Sequence, residues 1–315
     1  MSRPVTSAWF LLLATVSFAA CGNGASSLRT APSTITTSAP GGSTTVPLII
    51  TTTATTVAPS PPSSPLPASR PSIVPTTVIP AAGADRPDWL GTRALDLDEH
   101  GVPVPVPTPP ELSDRRFATV DLLPPPQDGF AVTVSPVPAG VAARSTWHEG
   151  CPVGLDDLSY LTLAFHGFDG RSHTGEMIVN DRVVGEVVAV FAALWEARFP
   201  IEEMRVVAAA ELDAPATGDG NVTSAFECRP VTDGTNWSQH AFGLAVDINP
   251  FHNPYRRGDR VVPELASAYL DRSRRRPGMI FAGDVVTEAF AAARWTWGGD
   301  FRSLVDYMHF SRNGG

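Results

Sequence analysis

Two histidines and two aspartates in the C-terminal half of the chain stand at spacings that could do chemistry. In SQHAFGLAVDINPFHNPY, residues 238–255, His240 precedes Asp247 by seven positions, with Gly243 between them. In VDYMHF, residues 305–310, Asp306 precedes His309 by three. On a straight strand His240 and Asp247 would point to opposite faces, and on a helix they would stand about 10 Å apart along the axis. Neither arrangement lets both reach one ion at about 2.0–2.2 Å. A bend at glycine would. The spacing therefore predicts a loop that turns at Gly243 and enters a strand over 245–248. A capping aspartate beside a satisfied surface histidine would explain this pair without any chemistry.

His309 completes a His–Asp–His set. Such a set leaves zinc with one open position, the pattern of catalytic rather than structural zinc, and a zinc so held lowers the pKa of water to roughly 7. Asp306 is the candidate general base, able to return its proton to a leaving amine. Arg229 follows Cys228 directly and is the candidate to hold an oxyanion or a substrate carboxylate. Each has a plainer alternative: a surface aspartate at a strand start, and an ordinary surface salt bridge.

The elements that must position these residues begin near Trp147. LSYLTLAFHGF alternates as a strand over 158–165, and GEMIVN, 175–180, reads as a second strand. Residues 181–199 have helical period, with Val184, Val188, Phe191 and Trp195 on one face, a cap at Asn180 or Asp181, and a stop at Pro200. EMRVVAA (203–209) is a third strand, and NVTSAFECRPV and AFGLAVDI give shorter extended segments. DVVTEAFAAARW, 284–295, is a last helix and MHFS a last strand. Mixed elements without a βαβ rhythm predict an α+β fold with a mostly antiparallel sheet and flanking helices. His148, His166, His173 and His252 read as structural, and Trp237, Trp295 and Trp297 as core or cleft wall.

Taken together, SAFECR at 224–229, SQHAFGLAVD and DYMH resemble the zinc D-alanyl-D-alanine carboxypeptidase family. That family includes the vancomycin-resistance D,D-dipeptidases and the phage L-alanyl-D-glutamate endopeptidases. Its pattern Ser-x-His-x-x-Gly-x-Ala-x-Asp is met by Ser238, His240, Gly243, Ala245 and Asp247, and its acidic residue three before a second histidine by Asp306 and His309. WTWGGDF, 295–301, is similar to the endopeptidase-type branch, where a Gly-Gly turn precedes the last ligand. The resemblance covers residues 147–315. It implies zinc ligands at His240, Asp247 and His309, a general base at Asp306, a transition-state arginine at Arg229, and the α+β fold shared with the hedgehog signalling domain. The implied activity is cleavage of peptidoglycan stem peptides, of the D,D-carboxypeptidase or the L,D-endopeptidase type. The rival reading is a non-catalytic, zinc-containing wall-binding or scaffold lipoprotein.

The rest of the chain bounds its surroundings. All 23 basic residues are arginine, against 32 acidic residues and a net charge of −9. Only Arg3, Arg29 and Arg70 precede Asp85, so residues 85–315 carry a formal −12. A nucleic-acid partner calls for the opposite sign. Residues 1–20 read as an export signal whose apolar run is too short to span a bilayer. It ends at FAAC, which resembles a lipobox with Cys21 as the lipidated residue; cleavage after Ala20 with secretion is the alternative. Residues 21–84 are a Ser/Thr/Pro-rich linker that cannot bury a core, and 85–146 a proline-rich strap wrapping the 147–315 domain through Trp89, Leu90, Phe117 and Leu122. An extracytoplasmic, membrane-anchored monomer facing the cell wall is expected. There disulfides persist, and the two cysteines besides Cys21 allow one pairing, Cys151–Cys228, with two buried thiols as the alternative.

Overall fold

The computed structural model describes residues 85–232 and 234–314. The expected export signal, Cys21 and the linker lie outside the described residues. The elements run β1 Val132–Pro136, α1 Ala139–Arg144, β2 Leu158–His166, β3 Ser172–Asn180, α2 Val184–Glu196, β4 Glu203–Met204, α3 Ala209–Leu212, β5 Val222–Thr223, β6 Ala245–Asp247, β7 Tyr255–Arg257, β8 Arg260–Val262, α4 Val285–Ala292, β9 Thr296–Trp297, β10 Val305–Asp306 and β11 His309–Ser311. No helix among the described residues is long and apolar enough to cross a membrane.

The architecture is α+β, but the expected sheet is divided. Three small antiparallel sheets have the orders β1-β2-β3, β10-β7-β8 and β6-β11-β9, and β4 and β5 form a short parallel pair. β2 and β3 pair over nine residues each. β1 is an edge strand of its sheet, and Pro136 at its end removes a donor where no partner needs one. The expected third strand shrinks to Glu203–Met204.

α2 packs on β2, with Val187, Val190, Phe191 and Leu194 buried. This corrects the stripe of Val184, Val188 and Trp195, which are only partly buried. The helix is apolar on two neighbouring stripes, so periodicity did not single one out. Trp195 stacks instead on His166 at 4.1 Å. Asn180 caps the entry to the helix through a 3.2 Å bond accepted from the Arg182 N–H. Trp295 and Trp297 join this core, whereas Trp237 is 40% exposed.

The strap forms a second core. Leu112 and Phe117 are buried with Phe251, Leu265 and Tyr269, and Trp89 and Leu90 pack against them. Leu122 is not an anchor, being 59% exposed. Its neighbour Asp121 holds this stretch, accepting a 2.7 Å bond from His173 Nδ1. Adjacent residues of an extended chain point oppositely, so Leu122 faces out. At the base of this core Arg115 donates to both Glu202 carboxylate oxygens at 2.8 Å and to the Asp219 carbonyl at 2.7 Å. Asn221 also donates to Glu202. His252 lies beside them, fully buried, with Nε2–H donating to the Arg115 carbonyl at 2.9 Å.

Removing one member of a buried, hydrogen-bonded ion pair strands the other charge. Arg115→Ala is expected to destabilise the fold by about 3–5 kcal/mol, read by urea unfolding. Burial depresses His252 to about 4 from an ordinary 6.5. The unfolded chain takes up a proton in that interval that the folded chain refuses. The contribution of His252, roughly 3 kcal/mol, is thus present above pH 6.5 and lost as pH falls toward 4. Thermal melts from pH 7 to 4 should show a steeper fall for the parent than for His252→Gln.

Candidate metal centre

Three side chains from distant parts of the chain converge. Residues Gln239–Phe242 form a short 3₁₀ turn, capped by Ser238, whose hydroxyl accepts from the His240 N–H. Gly243 ends the turn at φ 65°. A side chain there would be strained by that φ, and its Cβ would lie 2.6 Å from the Asn180 nitrogen. The expected bend at Gly243 is therefore present, and it feeds directly into β6. β6 pairs with β11 so that Asp247 stands directly opposite His309. Cross-strand partners bring their side chains within reach of each other.

His240 Nε2 lies 3.2 Å from His309 Nδ1 and 3.3 Å from Asp247 Oδ2, and His309 Nδ1 lies 3.1 Å from Asp247 Oδ1. All three residues are buried. Four ligands around an ion at 2.0–2.1 Å stand about 3.3–3.4 Å apart in a tetrahedron, so the donor set fits a zinc-sized cation. His240 Nδ1–H donates to the Ala225 carbonyl at 2.6 Å. That bond selects the tautomer with a free lone pair on Nε2, aimed at the cluster. The two imidazoles hold Asp247 well below the usual carboxylate range against the opposing effect of burial.

Asp306 joins from β10, which pairs with β7 rather than with β11. The Trp-Gly-Gly segment backs it: a Cβ on Gly298 would meet the Asp306 carbonyl at 2.5 Å. Asp306 Oδ1 is enclosed without a hydrogen-bond partner. Burial pushes this carboxyl up to about 7, with His309 opposing the rise and the Asp247 charge adding to it. A cation held by the neighbouring ligands would draw this carboxyl back toward its charged form, the form that accepts a proton from water.

Arg229 lines the same cleft, of about 390 Å³, with His240, Asp247, Asp306 and His309. Its Nε donates to Glu227 Oε2 at 2.7 Å and its Nη1 to the Pro230 carbonyl at 3.3 Å. Glu227 in turn accepts a 2.8 Å bond from the Ser224 hydroxyl. Glu227 is the residue the motif reading missed. Its signal was present: an acid two positions before an arginine in an extended segment shares that arginine's face. Cys228, between them, is bonded to Cys151. His148 lies beside the disulfide, and its Nε2 is 3.6 Å from Cys228 Sγ. Tyr255, Arg257, Phe301, Ser303 and Leu304 also line the cleft. No residue of the strap lines it, so the strap does not cover the cleft.

Gly243→Ala adds a Cβ where φ is positive and a backbone nitrogen is close. It is expected to destabilise the fold by about 1–3 kcal/mol and to weaken zinc uptake, read by melting with and without added zinc. Glu227→Gln should leave the uptake of added divalent metal at the parent value, read by elemental analysis, while loosening Arg229.

Neither the comparison with curated proteins nor that with solved structures finds a match. One family model matches, over residues 232–312, about a quarter of the 315-residue chain. That segment contains His240, Asp247, Asp306 and His309 and stops short of Arg229. The match supports the motif resemblance: over residues 232–312 the chain has the sequence pattern of the D-alanyl-D-alanine carboxypeptidase family.

Proposed function

We propose that this chain is a zinc-dependent peptidase acting on the stem peptides of cell-wall peptidoglycan. The observation that carries the reading is the meeting of His240, Asp247 and His309 within 4.8 Å of one another, on the cleft that also holds Asp306 and Arg229. The family pattern over residues 232–312 supports the reaction class.

In this reading His240, Asp247 and His309 hold the ion. Zinc, when bound, supplies Lewis acidity and makes water more acidic. Asp306 accepts the proton of the attacking water and delivers it to the departing amine. Arg229, aimed by Glu227, stabilises the oxyanion that forms at the peptide carbonyl. The fold of this segment is proposed to be the hedgehog-type α+β domain. The chain is proposed to act as a monomer outside the cytoplasm, tethered by lipid at Cys21.

Arg257 favours the carboxypeptidase form of the reaction. It is an exposed cation on the cleft wall and makes no ion pair among the described residues. We assign it to the terminal carboxylate of the substrate, which an endopeptidase would not need to bind.

Defined stem peptides incubated with the protein should be cleaved, as read by mass spectrometry, and a chelator should abolish the reaction. Asp306→Asn should lower kcat by about 10²–10⁴-fold while zinc content stays at the parent level. Cleavage that survives the chelator would reject the metal mechanism, and a zinc-loaded, folded protein that cleaves nothing would point to the scaffold reading. Arg257→Gln should raise KM by about tenfold for peptides with a free terminal carboxylate and leave amidated peptides unchanged.

A further inference from the structure

A second cluster of charge lies away from the metal-ligand residues. Residues 271–279 read DRSRRRPGM, with arginine at 272, 274, 275 and 276 in a chain of net charge −9. Arg198, in the turn after α2, joins Arg275 and Arg276 around a cavity of about 300 Å³, with Phe199, Gly278 and Phe281 in its wall. None of these five arginines makes an ion pair among the described residues. Arg275 and Arg272 stand over the same Phe281 ring, at 4.0 and 4.5 Å. Arg276 lies 4.6 Å over Tyr269 and donates Nη1 to the Ala268 carbonyl at 3.3 Å. Its Nη2 is enclosed, out of reach of anything in the cavity.

The one carboxylate in the cavity wall, Asp284, offsets only part of this charge and acts electrostatically on Arg272. Asp284 is engaged by the backbone: it accepts from the N–H groups of Val286 and Thr287, both at 3.0 Å, and of Phe281 at 2.7 Å. Arg198 donates only to the Gly170 carbonyl, at 3.3 Å. Arg272 points inward and is satisfied by carbonyls, including those of His252 and Tyr269 at 3.1 Å.

Arg275 makes no side-chain hydrogen bond among the described residues and Arg198 makes one, so both keep guanidinium N–H donors for an anion at the cavity surface. Three guanidinium groups around so small a space present more donors than a single carboxylate can use. An oxyanion with several oxygens can meet them from different sides. We propose that this cavity binds a phosphate group, as an anion site separate from the metal-ligand cluster. The ligand is a free phosphate or the phosphate of a lipid headgroup.

The test uses the full chain carrying Cys21→Ser, so that no lipid at that residue inserts into the vesicles, titrated with inorganic phosphate by calorimetry and floated with vesicles of phosphatidylglycerol or of phosphatidylcholine. Phosphate binding that persists in chelator, or flotation with phosphatidylglycerol alone, is the expected result. The first arm identifies the free anion and the second the headgroup. Arg198→Gln or Arg275→Gln should weaken that binding by about tenfold. Arg274→Gln, exposed and outside the cavity wall, should change it by less than about twofold. Melting curves of each variant establish that it is folded. Absence of binding in both arms overturns the proposal. So does equal weakening by Arg274→Gln, which would mark a diffuse field, or loss of phosphate binding in chelator, which would place the anion at the metal cluster.

Discussion

The antiparallel register of β6 and β11 is the constraint on which the site depends. It sets Asp247 opposite His309, and a slip of one residue would turn one of them to the other face. The same short sheet is anchored by Phe310, fully buried and stacked on Phe290 at 3.9 Å. The residue after the histidine thus fixes the strand in the core while the histidine faces the cleft. Two glycines make the close approaches possible. Gly243 lets the chain double back from His240 to Asp247, and Gly298 gives the Asp306 backbone room to lie against the turn.

Around this register, charges are organised by pairing. Glu227 is held by Ser224 and Arg229, and His240 by the Ala225 carbonyl. The segment 224–229 therefore orients both the arginine and the imidazole, although none of its residues belongs to the ligand cluster. The disulfide at Cys228 and the Thr146 hydroxyl, which accepts from the Cys228 N–H at 2.9 Å, secure that segment from behind. Buried donors and acceptors in the rest of this site have partners, so the enclosed and unpartnered Asp306 Oδ1 stands out as the group left to act on something else.

The strap follows the same physics in a different place. Proline keeps it extended, but Arg115 reaches through to Glu202, and Leu112 and Phe117 complete a core with Phe251 and Tyr269. It is built into the described domain as a structural part and leaves the cleft open.

The chemistry-bearing residues were legible from the sequence because their types and spacings leave few geometries. A histidine and an aspartate around a glycine imply a bend, and an aspartate three residues before a histidine implies a turn. β2, β3, α2 and α4 were legible from periodicity, since each spans enough residues for a pattern to form. What only the tertiary structure decided is which strands meet. β6 and β11 are three residues each and lie more than fifty residues apart in the chain, so no local pattern specifies their pairing. The buried face of α2 was likewise decided by what packs on it, because two apolar stripes were on offer. The sequence by itself determined the donors and the bends; long-range strand register, a property of the packed core, brought them to one point.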